Sequence, residues 1–465
     1  MSRNFLQFCF GLGFLLILTG CGVDPLIDSE SLYLSGNYQA AVKIIDDKCP
    51  LENNSKSLRP NLYRASGNLM LADFRQCLDD LARAEDGLTE QDDTINWGGN
   101  YLGRNYDGLM LQTYRGLVYL LLCQPADARV AFNRLELRQG EADRRNQRAI
   151  EEAQQEVKDE RSNSKNKGAL SYLDAANGNA DNQEKIDKYQ HLLDQWGAYA
   201  DYESPIGRFL SGLFRIFYLE DPNDAEKAVF QLKRTYGMTE SEVARQLYEM
   251  ADGIASGRIS KETLGDYVVV LFENGMGPVK EEVRYEIVIP ISAPVYVGIA
   301  LPVLVQREAA YPYLVLKDGY RRIGETSSLC SVDRLVASEF RKEQPWIIAK
   351  EITSAVIKVA LQVIAAEVAR QKLGELGAIG VGLVGSAISY MTTSADVRGW
   401  NLLPKEYQVA LVPRPQSGIL GIATPYEGGS FIEVNLPPGP SLVYVKIPGT
   451  NLPALVNVIG PAVIP

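Results

Sequence analysis

From residue 28 to about residue 253, apolar positions recur every three or four residues, the spacing of amphipathic helices that bury one face. SLYLSGNYQAAVKIID reads as the end of one helix, a tight Gly36-Asn37 turn and a second helix carrying Ala40, Ala41, Ile44 and Ile45. GNLMLADFRQCLDDLARAED repeats the scheme and turns at Ala72-Asp73. YRGLVYLLLCQPADARVAFNRLE turns at Gln124-Pro125, and FLSGLFRIFYLEDPNDAEKAVFQLKRTYG at Asp221-Pro222-Asn223-Asp224. Ahead of the fourth unit, RRNQRAIEEAQQEVKDERSNSKNKGAL alternates charge like a long solvated helix. Residues 162–183 have little apolar content and are expected to form a flexible loop.

After Gly265 the period changes. DYVVVLFENG, VRYEIVIPI, VYVGIALPVLV and YPYLVLKDG are short β-branched runs bounded by Gly and Pro, and YQVALVPRP, GGSFIEVNLPPG and SLVYVKIPG close the chain. Both sets are expected to build one β-rich domain around a helical hairpin insertion at 336–393. In its first arm, 346–370, Ile348, Ile352, Val356, Val359 and Val363 share one face, with Lys350, Lys358 and Glu367 away from it. The second arm contains GELGAIGVGLVGSAISYM, where Gly380, Gly382 and Gly385 meet the spacing G-x-G-x-x-G. A dinucleotide loop needs a strand before it, and a helix is expected here. The uncharged run 376–391 is shorter than the roughly 20 residues of a helical membrane span. Gly374, Ala378, Gly382 and Ser386 instead recur every four residues, a smooth ridge for helix packing.

The helical units resemble tetratricopeptide repeats. The opening aromatic of the second helix moves from Tyr38 to Phe74, close to the period of about 34 residues, although spacing is irregular and the full repeat pattern is never complete. The resemblance implies an α-solenoid that binds peptide or protein segments. The expected class is α+β multidomain: a tetratricopeptide-like α-solenoid over 21–253, then β-rich parts at 264–335 and 394–465 flanking the helical hairpin.

The N-terminus bears on location. Arg3, an apolar run over 8–18 and then Leu18-Thr19-Gly20-Cys21 have the order of a secretory signal over 1–20. Leu-x-Gly-Cys resembles a bacterial lipobox, which implies cleavage before Cys21 and lipid on its sulfur. Gly22 follows where an Asp would favour inner-membrane retention, which points to the outer membrane of a Gram-negative cell, facing the periplasm. Without residues 1–20, 46 Lys and Arg face 58 Asp and Glu, a balance that disfavours nucleic acid as a partner. An oxidising compartment permits disulfides. Cys77, in the first turn of one helix, and Cys123, closing another, are expected at the same edge of the stack and form the candidate pair. The single histidine, His191, precludes a multi-histidine metal site, and no cofactor is expected.

NYLGRNYDGLMLQTYRGLVYL, LFENGMGPVKEEVRYEIVIP with VYVGIALP, and ADVRGWNLLPKEYQVALVP occur in this order. Together they resemble an uncharacterised family of bacterial outer-membrane lipoproteins with a tetratricopeptide-like N-terminal half. The resemblance implies partners in the cell envelope, the cell-wall synthesis machinery among them. Its motifs supply the candidate contact or structural residues Tyr106, Asp107, Tyr114, Glu273, Asn274, Lys280, Asp396, Arg398 and Trp400. Two carboxylates about 5–9 Å apart run glycoside hydrolysis, so Glu273 with Glu281 would serve a peptidoglycan-acting enzyme. Against this, Asn274-Gly275 and Gly277-Pro278 are strong turn formers, and no serine, cysteine or zinc hydrolase motif occurs. The leading expectation is a non-enzymatic, lipid-anchored interaction scaffold, with a structural subunit of an envelope complex as the further alternative.

Overall fold

The computed structural model describes residues 24, 26–51, 57–89, 101, 103–199, 202–221, 223–291, 294–373, 394–426 and 429–461. The helical half begins with three antiparallel pairs: α1 (Leu26–Leu34) with α2 (Tyr38–Lys48), α3 (Leu58–Met70) with α4 (Phe74–Thr89), and α5 (Asn105–Leu121) with α6 (Pro125–Ser162). Each first helix ends in the same way. Gly36, Ala72 and Cys123 take left-handed φ values of 80°, 57° and 57°. The next amide, of Asn37, Asp73 or Gln124, reaches back to the carbonyl of Leu32, Asn68 or Tyr119 at 2.9, 2.9 and 2.8 Å. This pattern satisfies carbonyls that a helix end leaves without partners, and it turns the chain sharply enough for the next helix to double back. Glycines let neighbouring helices approach: a Cβ on Gly67 of α3 would come within 2.4 Å of Val42 on α2, and one on Gly116 of α5 within 2.6 Å of Phe132 on α6.

Residues 162–183 are helical, which corrects the loop expectation. A 3-10 turn (Ser164–Ala169), α7 (Leu170–Asn177) and α8 (Ala180–His191) follow α6. Ala169, Leu173 and Ala176 supply three buried contacts at helical spacing, too few to mark the segment by composition. Asn163 and Asn179 accept from Lys165 and Asn182 amides and so begin their helices. Then come α9 (Pro205–Phe217), α10 (Asp224–Thr239) and α11 (Glu242–Ala255).

The strands are β1 (Tyr267–Asn274), β2 (Val279–Ile289), β3 (Val295–Val305), β4 (Val315–Asp318), β5 (Arg321–Glu325), β6 (Ser327–Ser331), β7 (Glu406–Pro413), β8 (Ile419–Ala423), β9 (Phe431–Asn435), β10 (Ser441–Ile447) and β11 (Leu455–Ile459). One sheet has the order β11-β10-β1-β7-β6 and a second β5-β4-β8-β9, while β2 and β3 form a separate hairpin. Strands from before and after the long helix therefore share both larger sheets. Alternation along β1 sends Val269 and Leu271 to the helical core, and Val268, Val270 and Phe272 to the second sheet. The result is α+β: helices, then one sheet, then another.

Of the expected helical hairpin at 336–393, only the first arm falls on described residues. That arm belongs to a helix, α12, that runs Val332–Leu373 through Pro345. Ile348, Ile352, Val356 and Val359 are buried as expected, against α6, α7 and β3, and Val363 is half-buried. The ridge of Gly374, Ala378, Gly382 and Ser386, together with Gly380 and Gly385, lies outside the described residues, as does Cys21.

One side chain closes the edge of β2. Asn182, 1% exposed, donates to Val288 O at 2.8 Å and accepts from Val288 N at 2.8 Å, in the manner of a neighbouring strand. It also donates to Ala176 O at 2.8 Å. Asn182→Ala is expected to cost about 1–3 kcal/mol and to speed amide exchange selectively in α8 and at Val288. Uniform exchange rates across variant and parent would refute this role.

Candidate functional site

Glu273 is the only charge in β1, and alternation turns it toward the helices. The register sets Lys446 of β10 on one side of it and Tyr407 of β7 on the other. Lys446 Nζ donates to Glu273 Oε1, and both side chains are almost fully buried, at 2% and 0% exposure. Tyr444, on the same face of β10, donates to Glu273 Oε2 at 2.5 Å. From α5 above, Tyr114 donates to Oε1 at 2.5 Å, and Tyr407 Oη lies 3.2 Å from the Tyr114 hydroxyl. Burial, and then the charge of Glu273, raise the hydroxyls of Tyr114, Tyr407 and Tyr444 well above the ordinary tyrosine value, so they remain donors. The ring of Trp400 packs 5.5 Å from that of Tyr114, and its Nε1 donates to Ser66 of α3 at 2.9 Å.

A second cluster sits at the N-terminus of α5. Glu339 of α12 accepts from the amides of Asn105 at 2.8 Å and Tyr106 at 3.0 Å, two groups that a helix start leaves unpaired. Asp107 accepts from the Arg104 amide at 2.8 Å and from the Tyr101 hydroxyl. Arg104 reaches across to Glu343 at 2.7 Å, and Arg398 pairs with Asp396 at 2.8 Å. Lys280 donates to Arg398 O at 3.4 Å and lies over the Phe340 ring. Arg59 joins this corner to the first described residue, pairing with Asp24 at 2.7 Å and donating to Gly399 O at 3.4 Å. Burial, then Glu343, push the Glu339 carboxyl up to about 7. Burial, then Arg104, bring the Lys280 ammonium down to about 8.

The structure thus gathers most of the residues marked by sequence into two adjoining clusters at the helix–sheet seam. Asn274, the last residue of β1, instead holds the loop before β4: it accepts from the amides of Ala310 and Tyr311 and donates to Tyr311 O at 2.7 Å. Glu273 and Glu281 do not share a cleft, since Glu273 is sealed against Lys446 while Glu281 is exposed on the β2–β3 hairpin. The Gly-Met-Gly segment is a turn. Gly275 has φ +64°, and a Cβ on Gly277 would come within 2.8 Å of Pro404 O. The hollow lined by Arg104, Phe340, Glu351 and Asp396 measures about 20 Å³, room for a single water. Among the described residues no group of three His, Cys, Asp or Glu side chains could hold a metal.

The expected Cys77–Cys123 bridge is absent. All four described cysteines are free thiols; Cys77 points into the core, while Cys123 is exposed at the left-handed closing residue of α5. Lys446, Tyr444, Tyr407, Arg104, Glu339 and Glu343 escaped the sequence reading. A signal existed for the first: YVVVLFEN and SLVYVKI are otherwise apolar strands with one charge each, of opposite sign. No protein-family model, curated protein or solved structure matches this chain. The chemistry of the site therefore rests on its own geometry, in which Glu273, Glu339 and Arg104 each meet a partner from another element.

Lys446→Met strands Glu273 in the core and is expected to cost about 3–5 kcal/mol in urea unfolding. Adding Glu273→Leu should restore part of that; a neutral single variant would contradict the arrangement. For Glu339, the folded carboxyl binds its proton more tightly than the unfolded chain, so its contribution is complete below the ordinary carboxyl range and is lost as pH rises through about 7. Stability should fall across pH 5–7 by on the order of 1.4 kcal/mol per unit. Glu339→Gln should flatten that slope, and parallel curves for the two proteins would exclude it.

Proposed function

We propose that this chain is a lipid-anchored periplasmic protein of the outer membrane, acting as a protein–protein interaction scaffold in the cell envelope. Its helix pairs form a degenerate tetratricopeptide-like array, a reading supported by three pairs with the same left-handed turn. The lipobox-like Leu18-Thr19-Gly20-Cys21 supports the anchor.

The observation that carries the scaffold reading is which face of the array is left for a partner. The first helices of the pairs, α3, α5 and α9, are buried along nearly their whole length, with α5 meeting the first sheet through Tyr114. The chain's own sheet therefore occupies the inner side, where such arrays commonly take a peptide. On the outer side, Val130 and Leu137 stand two turns apart on α6 at 50% and 66% exposure, and Phe230 on α10 at 59%. Arg129 ties these two helices together through Asp224 at 2.8 Å. Apolar side chains next to charged partners on a rigid helical face suit the docking of another envelope protein.

The test is cross-linked affinity recovery from envelopes of the full chain and of a Val130→Glu, Leu137→Glu, Phe230→Glu variant. Partner recovery should fall roughly tenfold while circular dichroism stays unchanged. Equal recovery would remove this face from the proposal. Incorporation of labelled palmitate, abolished by Cys21→Ser, tests the anchor separately.

A further inference from the structure

The starts of α1, α3 and α5 come together at one corner of the helical array. Asp24, whose carboxylate accepts from the Leu26 amide at 3.0 Å as α1 begins, pairs at 2.7 Å with Arg59 in the first turn of α3. The guanidinium carbons of Arg59 and Arg398 each lie 5.9 Å from the ring centre of Tyr101. A Cβ on Gly103, just before α5, would come within 2.6 Å of Leu58, the first residue of α3. The left-handed turns at Gly36, Ala72 and Cys123 close the other ends of these helices. Since α5 has 17 residues, its closing turn stands about 25 Å from the corner.

Only Gly22 and Val23 separate Asp24 from Cys21. Three residue steps span at most about 11 Å, even when fully extended. A membrane that holds the acylated Cys21 therefore lies within that reach of Asp24, and Asp24 is itself tied to the folded body through Arg59. The corner suits such a neighbour. Asp24, Asp396 and Glu343 hold their negative charges against Arg59, Arg398 and Arg104, which limits repulsion from anionic phospholipid. Ile27, in the first turn of α1, is 56% exposed and offers an apolar side chain to the boundary between headgroups and acyl chains.

We infer that the corner around Asp24, Arg59, Tyr101 and Arg398 is the face this protein lays against the phospholipid bilayer, with the turns at Gly36, Ala72 and Cys123 pointing away from it. The inference rests on the lipid anchor at Cys21 proposed above and adds the orientation of the folded body. It also places the docking face. Helix α6 begins at the far edge and carries Val130 in its second turn, and the Arg129–Asp224 pair brings the start of α10, with Phe230, to the same end. These apolar side chains are held away from lipid, where a partner in the periplasm reaches them.

The test uses the lipidated chain, purified and reconstituted into phospholipid vesicles whose headgroups carry a nitroxide quencher. A thiol-reactive fluorophore is attached at one of two places. One is Cys123, the only exposed cysteine among the described residues. The other is Ser394→Cys in a Cys123→Ser background, an exposed position beside Arg104 and Asp396. The protein should float with the vesicles, the fluorophore at position 394 should lose most of its emission, and the one at Cys123 should keep its own. If circular dichroism shows that Ser394→Cys disturbs the fold, Asp28→Cys, exposed in the first turn of α1, supplies the corner probe. Flotation with equal quenching at the two places, or stronger quenching at Cys123, would overturn the orientation and leave the anchor standing. Failure to float would overturn the anchor and the orientation with it.

Discussion

The ion pair of Glu273 and Lys446 is the constraint around which the halves of this molecule are arranged. Two charges with almost no solvent contact are tolerable only when their remaining hydrogen-bonding capacity is met. Tyr444 supplies part of this from the same sheet, but Tyr114 comes from a helix about 160 residues earlier in the chain. The sheet therefore does not complete its own interior. It needs α5 in place, and α5 in turn has its N-terminus satisfied by Glu339 of α12.

This dependence shapes what the helical array offers. An array of paired helices normally keeps its inner surface for a ligand. Here Tyr114 of α5 meets Glu273 of the sheet and Trp400 reaches Ser66 of α3, so the two halves make one continuous core. The seam clusters resemble an active site in composition, with carboxylates, a lysine of lowered pKa and arginines close together. Most of these groups are engaged with one another, and the adjoining hollow admits one water.

Much of the local architecture was legible because short-range physics decides it. Gly36-Asn37, Ala72-Asp73 and Gln124-Pro125 are turns whose residues favour left-handed closure or helix initiation, and they fall where the pattern places them. Residues 162–183 are helical where a loop was expected because α7 and α8 are held by a few distant contacts: Asn182 on β2, and Tyr189 on Pro302 O. The cysteine pairing failed for a related reason. Being at helix ends near one edge did not reveal that Cys77 faces the core while Cys123 faces solvent.

The sequence by itself determined the α-to-β change near residue 265, most turns and the inward faces of strands, since periodicity and turn chemistry act within a few residues. It also marked Tyr114, Glu273, Lys280, Asp396 and Trp400 as unusual, without a reason. Only the tertiary structure decided that Glu273 meets Lys446 and Tyr114 and that Glu339 caps α5. Those outcomes depend on which elements lie side by side. The electrostatics of a buried charge are set by neighbours remote in the chain, and no local pattern contains them.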